Sequence, residues 1–305
     1  MRTRFRPDRQ LTARMVLTVF LLGLVYVAFV AVLVALLRSW IAIVVIAGGL
    51  LAVQYFCSDR IALAAMRARV VDPQQEPRLH GIIDRLCAAA DMPKPRVAVA
   101  DTDLPNAFAT GRNTERAVVC VTTGLMRRLE TGELEGVLAH ELSHIAHRDV
   151  AVMTIASFLG VAAGMVTRTM FYSQLFGGRR RGGADQTYLL VMMVMLVSAV
   201  VYTLSFLLIR ALSRYRELAA DRAGATLTGR PSELASALTK VTGEMARIPT
   251  RDLRTAQAFN AFFFTPAVGA RPSLSTLLST HPSLQQRLDQ LAEISTEIGE
   301  AAPSA

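Results

Sequence analysis

The sequence predicts an integral membrane protein that is mostly α-helical and carries a small β-sheet. Its hydrophobic residue fraction of 52% and its mean hydropathy of +0.37 are too high for an ordinary soluble domain. Two short runs rich in valine and alanine have the composition of strands. Four uncharged stretches are long enough to be transmembrane helices: Met15–Leu37, Ser39–Ser58, Val150–Thr167 and Gln186–Ile209.

The first two apolar stretches predict a transmembrane hairpin. Arginines crowd residues 1–14, Arg38 alone separates the two stretches, and Arg60, Arg67 and Arg69 follow them. Because cytoplasmic flanks carry an excess of Lys and Arg, both ends of this hairpin are expected in the cytoplasm. A signal peptide is the competing interpretation, but the first stretch is long for its apolar region and no cleavage site with a polar sequel follows.

The third and fourth apolar stretches predict a second helical pair whose topology is open. The loop between them contains Arg179, Arg180 and Arg181. If the chain before this pair is cytoplasmic, these arginines lie on the far side, against the same charge tendency. Either the first hairpin fixes the orientation, or the second pair tilts and does not cross the bilayer cleanly.

The two more polar parts of the chain, residues 60–149 and 210–305, predict secondary structure outside the bilayer. Residues 252–270 are expected to be irregular and aromatic. The other predicted elements follow the hydrophobic periodicity: helices at Arg78–Ala90, Arg210–Leu227 and Pro231–Arg247 and from Thr280 onward, and strands at Arg96–Ala100 and Ala117–Thr122, with a short extended piece, Asn106–Gly111, between the strands.

Charge and cysteine content exclude some classes of protein. The net charge of +9 is compatible with nucleic-acid binding, but no nucleic-acid-binding module accompanies it, and arginines beside apolar stretches fit contact with an anionic lipid bilayer better. The three cysteines include no C-x-x-C pair, so a disulfide framework is not expected.

The pattern H-E-x-x-H at residues 140–144 predicts a metal site. On a helix, His140 and His144 lie one turn apart on the same face and can direct two imidazoles at one ion. Glu141 follows the first histidine and can act as the base for an attacking water, as in a zinc peptidase. Thr131 is the expected N-cap of this helix. Three of the five histidines of the chain lie within eight residues here, which disfavours a chance match.

A catalytic zinc ion needs a third protein ligand. His147 is a weak candidate because three ligands on one helix spread along its axis. Asp149 is expected to be too close to His144 in the sequence to fold back to the metal. Glu217 lies on a later helix, with Asp221 one turn beyond it. We therefore predict Glu217 as the ligand and Asp221 as the partner of a ligand histidine. A solvated helix face with Arg–Glu pairs is the alternative.

The positions of these residues constrain the topology. His140 precedes the second apolar pair and Glu217 follows it, and both must reach the same zinc ion. The two apolar stretches must therefore begin and end on the same side of the membrane. The extended piece that contains Asn106, Ala107, Phe108 and Ala109 has two open interpretations: an edge strand that binds substrate by β-augmentation, or a plain connecting strand.

Together these motifs resemble the HtpX-type membrane metalloproteases of peptidase family M48, which are relatives of the CAAX-prenyl endopeptidases. The resemblance covers nearly the whole chain in one order: the apolar hairpin, Asn106–Gly111, the H-E-x-x-H helix, the second apolar pair, the E-x-x-x-D helix, and His281 with Arg287 near the end. It implies an α+β zincin-like catalytic domain of gluzincin type with one Zn²⁺ per chain.

The resemblance further implies an endopeptidase of protein quality control that cleaves membrane or misfolded polypeptides. It implies His140, His144 and Glu217 as ligands, Glu141 as the base, and a location in the cell (inner) membrane with the active site cytoplasmic. The arginine distribution around the first hairpin predicts that both termini are cytoplasmic as well. His281 matches the late motif of the family and is a candidate for stabilising the oxyanion. Capping of the last helix is the other interpretation of this residue.

Five parts of the chain are expected: a transmembrane hairpin at 1–59, the first part of the catalytic domain at 60–149, a second apolar hairpin at 150–209, the second part of the catalytic domain at 210–300, and a disordered tail at 301–305. A proteolytically inactive zinc-binding membrane adaptor is the alternative function. Structural zinc sites fill all four positions with protein ligands and favour cysteine, so the presence of Glu141 and the absence of cysteine favour catalysis.

Overall fold

The computed structural model describes residues 9–37, 66–111, 113–149, 185–247 and 279–301, with isolated positions between 49 and 64 and between 152 and 167. Elements follow in the order α1 (Arg9–Leu37), β1 (Arg69–Val70), α2 (Pro77–Ala90), β2 (Arg96–Ala100), β3 (Ala107–Thr110), β4 (Val118–Thr122), α3 (Thr123–Arg128), α4 (Thr131–Ala146), α5 (Asp185–Thr228), α6 (Pro231–Arg247) and α7 (Leu284–Ala301).

The four strands form one sheet in the order β1-β2-β4-β3. Strands β2 and β4 are parallel, and β1 and β3 pair with them antiparallel. Alternate residues of β2 and β4 face opposite sides, as the two-residue period of a strand requires. Val97, Val99, Val119 and Val121 face the main core, whereas the alternate residues contact a small cluster around Phe108.

The main core lies between the sheet and the helices. Helix α4 is buried along most of its length and contacts α5, α6 and the edge strand β3. A Cβ on Gly136 would approach Leu234 of α6 to 3.3 Å, so the missing side chain permits close packing of α4 and α6 there. This position in the middle of the domain holds the H-E-x-x-H segment rigidly.

Two helices, α1 and α5, are long and apolar enough to cross a membrane, within the described part of the chain. They pack against each other and against helical residues between 152 and 167, such as Ala156 and Ala163. Their outer faces expose large apolar side chains, which a lipid environment would cover: Val16, Leu17, Phe20, Leu24 and Val27 on α1, and Leu189, Met193, Leu196, Val200 and Leu207 on α5.

Helix α5 continues without a break from its apolar part into the core. Its 44 residues correspond to a length of about 66 Å. Gly224 lies where α5 crosses α4, and a Cβ there would approach the backbone nitrogen of His140 to 2.9 Å. The absent side chain therefore lets α5 approach the H-E-x-x-H segment closely.

The structure confirms several predicted elements and corrects others. The strand Arg96–Ala100 and the helix Pro231–Arg247 are found at the predicted bounds. Thr131 is not the N-cap of α4: the chain is extended at Glu130, whose N–H donates to Glu133 Oε2 over 2.9 Å. The last helix begins at Leu284, and Ser283 Oγ accepts from Gln286 N at 3.2 Å, so neither Thr280 nor His281 caps it.

Three short elements were not expected from the sequence: strand β1, the 3-10 helix Thr114–Arg116 and helix α3. Strand β1 has two residues, too few for a periodic signal, and α3 is a single helical segment whose N-cap Thr122 accepts from Leu125 N. The second apolar stretch and the third lie mostly outside the described residues. The arginine-rich loop, residues 252–270 and the tail after Ala301 lie outside them as well.

Candidate active site

His140 and His144 lie one turn apart on α4 and meet edge to face. Their ring centroids are 4.8 Å apart, and their Nε2 atoms are 3.2 Å apart. His140 is buried, while His144 retains a small exposed fraction. Both rings therefore present Nε2 to one point at the surface of the helix.

Glu217 of α5 completes this cluster. Its Oε2 lies 3.7 Å from His140 Nε2, and its Oε1 lies 3.5 Å from His144 Nε2. Two ligands bound to one tetrahedral zinc ion at the usual bond lengths are about 3.3 Å apart. The three ligand atoms, which all lie within 4.8 Å of one another, therefore have the spacing and the nitrogen and oxygen types of a zinc site.

The charge balance around the cluster also fits a divalent cation. Glu217 and three buried acids, Glu141, Asp149 and Asp221, surround the two histidines. Among the residues that the structure describes, two buried guanidinium groups, Arg216 and Arg287, lie among them. With neutral histidines, two negative charges are left over. Burial disfavours the charged form of His140, but hydrogen bonds and charges from Asp221 and Glu217 outweigh it and raise the pKa to about 9. The site thus favours a positive charge.

The far nitrogen of His140 is held by a buried acid. His140 Nδ1 lies 2.8 Å from Asp221 Oδ1. Asp221 is held in turn by Arg287 of α7, whose Nε and Nη2 donate over 2.7 and 2.6 Å to its two oxygens. A carboxylate on the far nitrogen fixes the ring orientation and leaves Nε2 free to bind a metal ion.

The far nitrogen of His144 is held in the same way by Asp149, a contact that was not predicted from the sequence. His144 Nδ1 lies 2.6 Å from Asp149 Oδ2. The chain turns back after α4 because Arg148 adopts the left-handed conformation, with φ of 55°. A glycine at this point would have indicated such a turn, but an arginine does not. Asp149 does fold back, although to the histidine and not to the metal position.

Arg216 contacts the same carboxylate oxygen of Asp149 as His144. Its Nη2 lies 2.7 Å from Asp149 Oδ2, and its Nη1 donates to the Asp149 carbonyl over 2.7 Å. Arg216 is buried. It is therefore not one of the surface cations that the alternative of a solvated Arg–Glu face would require.

Glu141 is buried next to the ligand cluster. Burial raises the pKa of its carboxyl group, and the charge of Glu217 adds to this effect, while the two ligand histidines oppose it. The backbone N–H of Ala109 donates a hydrogen bond to the carboxylate. This contact orients Glu141 and brings strand β3 to the site.

The edge strand β3 directs part of its backbone toward this site. The carbonyl oxygen of Asn106 accepts a hydrogen bond from Thr122 N at 2.9 Å. The backbone N–H and C=O groups of Asn106 and of every second residue after it therefore point toward β4. Ala107 and Ala109 then direct their backbone groups outward. Ala107 is buried and Ala109 is partly exposed, which leaves the outer edge accessible at Ala109. The Phe108 side chain is buried in the small cluster on the other face.

The two remaining histidines near the motif take different positions. His281 precedes α7 and places Nδ1 3.2 Å from Glu217 Oε2, so it belongs to the cluster. His147 ends α4, and its Nδ1 lies 2.8 Å from the Ser143 carbonyl oxygen. The group of possible ligands in the described part of the chain contains His140, His144 and Glu217, and it does not include His147.

Comparisons with known proteins give consistent results. The model of peptidase family M48 matches residues 73–295. The chain is 69% identical over 302 residues to "Protease HtpX homolog 1" of Streptomyces coelicolor, covering 99% of this chain and 98% of that protein. It is 52% identical over 301 residues to "Protease HtpX homolog" of Moorella thermoacetica, covering 98% and 99%.

The fold is also similar to that of a solved structure. The crystal structure of S. mikatae Ste24p aligns with a TM-score of 0.53 at 18% identity, covering 93% of this chain and 66% of that one. At this identity the likeness concerns the fold alone. The family match extends over every residue of the cluster described above, from Asn106 to Arg287.

Proposed function

The chain belongs to peptidase family M48 as an HtpX-type protease, and we propose that its active site is the cluster of His140, His144, Glu217 and Glu141. As a member it is a membrane zinc endopeptidase that acts on polypeptides. The observation that carries the proposal is the convergence of three ligand atoms at the spacing of a zinc site, with Glu141 buried beside them. The alternative of an inactive adaptor receives no support from these findings.

In this proposal His140, His144 and Glu217 hold one zinc ion per chain. When bound, zinc supplies a Lewis acid that acidifies water and polarises a carbonyl group. The carboxylate of Glu141 accepts a proton from the attacking water and then donates it to the leaving amine. The raised pKa of Glu141 supports this role, because it strengthens the carboxylate as a base.

Asp221 and His281 have supporting roles in this scheme. Asp221 orients His140 through Nδ1 and is itself held by Arg287. His281 Nδ1 lies 3.2 Å from Glu217 Oε2, which places its ring beside the ligand cluster, and we assign it the stabilisation of the oxyanion. His281→Ala, assayed at saturating zinc, should lower kcat; an unchanged kcat would contradict this role.

The substrate is proposed to bind as an extended peptide along the outer edge of β3. The outward direction of the backbone at Ala109, beside Glu141, supports this arrangement, since an added strand would pass the catalytic carboxylate. Asn106 and Phe108 then serve to hold the strand in the sheet through backbone pairing and burial.

We further propose that membrane proteins are among the substrates and that the site lies on the cytoplasmic side of the inner membrane, with both termini cytoplasmic and several spans. The apolar part of α5 ends at Ile209, and Glu217 follows eight residues later, about 12 Å along the helix axis. This short distance supports a site next to the bilayer surface, where a peptide leaving the membrane would pass.

Removal and return of zinc tests the proposed function. The purified protein in liposomes is given a co-reconstituted single-span membrane protein and an unfolded soluble polypeptide. Chelation should abolish cleavage and added Zn²⁺ should restore it. Cleavage by protein shown to be metal-free would overturn the zinc mechanism. If only the soluble polypeptide is cleaved, membrane proteins are wrong as a substrate class.

A further inference from the structure

The buried pair of Asp149 and Arg216 lies directly behind a proposed zinc ligand and has no part in the chemistry described above. Asp149 Oδ2 is 2.6 Å from His144 Nδ1 and 2.7 Å from Arg216 Nη2. Arg216 Nη1 also donates to the carbonyl oxygen of Asp149. The guanidinium group thus fixes both the side chain and the backbone of Asp149.

This arrangement restricts the ring of His144 to one useful state. A carboxylate at Nδ1 favours the tautomer that carries its proton on Nδ1, and Nε2 then has a free lone pair directed at the cluster. Without Asp149, the buried ring could rotate or protonate at Nε2. The chain also adopts the left-handed conformation at Arg148, which is unfavourable for a residue with a side chain, where it places Asp149 beside His144.

The position of the pair in the sequence gives it a second consequence. Asp149 immediately precedes the apolar stretch Val150–Thr167, and Arg216 follows the end of the stretch Gln186–Ile209 by seven residues. The contact between Asp149 and Arg216 therefore joins the residue before the third apolar stretch to the helix that continues from the fourth. Arg216 is also the neighbour of Glu217 in the sequence, so the same contact links the helices that carry the three ligands.

We propose that Asp149 and Arg216 form a positioning pair that sets the tautomer and orientation of His144 and thereby the affinity for zinc. This inference rests on the proposed function, because it takes His144 as a zinc ligand. The proposed pair orients the ring of His144 before zinc binds, so the affinity for zinc tests the proposal directly. Turnover of the loaded enzyme is a secondary readout.

The test measures zinc dissociation constants of the full-length protein in detergent by competition with a chelating indicator. Asp149→Ala should weaken zinc binding about 10- to 100-fold, the usual effect of removing the partner of a ligand histidine. Arg216→Gln should weaken it in the same direction. The double variant should be no weaker than Asp149→Ala alone, because both changes remove one function.

Arg222→Gln is the matched control. Arg222 lies on the same helix and pairs with Glu297 at an exposed position, so its loss should leave zinc affinity unchanged. Asp149→Asn preserves the shape of the side chain and serves if Asp149→Ala does not fold. Nitrogen-15 spectra of labelled histidine should show His144 protonated at Nδ1 in the wild type and a shifted tautomer balance in Asp149→Asn.

The outcomes distinguish a failure of the positioning pair from a failure of the proposed function. If the wild type does not bind zinc, the proposed function itself fails. If the wild type binds zinc, and Asp149→Asn and Arg216→Gln bind it equally tightly with an unchanged His144 tautomer, the positioning pair is refuted while the proposed function stands. Equal weakening by Arg222→Gln would also refute it, because the effect would then not be specific to this pair.

Discussion

Glu217 is the residue on which the candidate site depends most, because it contacts both ligand histidines and His281. Glu217→Ala should abolish cleavage and greatly weaken zinc binding, since only two ligands from one helix turn remain. His147→Ala is the matched control: its ring faces the end of α4, so zinc affinity should be unchanged. Zinc titration of both variants measures this. The ligand assignment is wrong if His147→Ala loses zinc while Glu217→Ala keeps it.

At the scale of residues, the sequence predicted the groups whose spacing follows from helix geometry. His140 with His144, and Glu217 with Asp221, are pairs four residues apart, and the structure brings all four together. It could not predict the contact of Asp149 with His144. That contact depends on a left-handed turn at Arg148, for which the sequence has no glycine signal, and on Arg216 from a distant helix.

Among the elements, the edge strand β3 makes the most specific prediction. Ala109→Pro removes the outward N–H that donates to Glu141, and proline is tolerated on an edge strand. Because a hydrogen bond to a charged group is lost, kcat/KM should fall about 10-fold or more, with zinc content little changed.

The control for this prediction is Ala109→Ser. It keeps the backbone N–H and adds a small polar group at a partly exposed position. Ala109→Ser should cleave peptides at close to the wild-type rate. Equal kinetics for the proline and serine variants would mean that the outer edge of β3 takes no part in catalysis or substrate binding.

The elements with long periodic patterns were predictable, and the short ones were not. Strand β2 and helix α6 have the predicted bounds. Strand β2 is a short run of valine and alanine that is buried on both faces, and α6 has an amphipathic pattern that begins at Pro231. Strand β1 exists only because Arg69 and Val70 pair with β2. Glu130, and not Thr131, is the N-cap of α4 because the Glu133 side chain accepts a hydrogen bond from the Glu130 N–H. This capping-box contact is local, but the sequence prediction favoured the threonine side chain as the cap.

At the scale of the molecule, α5 joins the membrane part to the site as one continuous helix. The arginines that flank the first hairpin predict cytoplasmic termini. Reporter fusions at residues 1 and 305 should therefore both report cytoplasm, and an external signal from either end would overturn this topology. A fusion within residues 177–185 should report the outside if the second apolar pair crosses the membrane.

The central claim is that Glu141 acts as the base beside a zinc ion held by His140, His144 and Glu217. The most direct measurement compares the wild type with Glu141→Gln, recording zinc content and cleavage of a membrane-protein substrate on the same samples. The side chains are nearly isosteric, so the variant should fold and hold one zinc ion per chain. Its carboxamide cannot accept the proton of water, so cleavage should fall by at least about 100-fold. Wild-type turnover by Glu141→Gln would contradict the account.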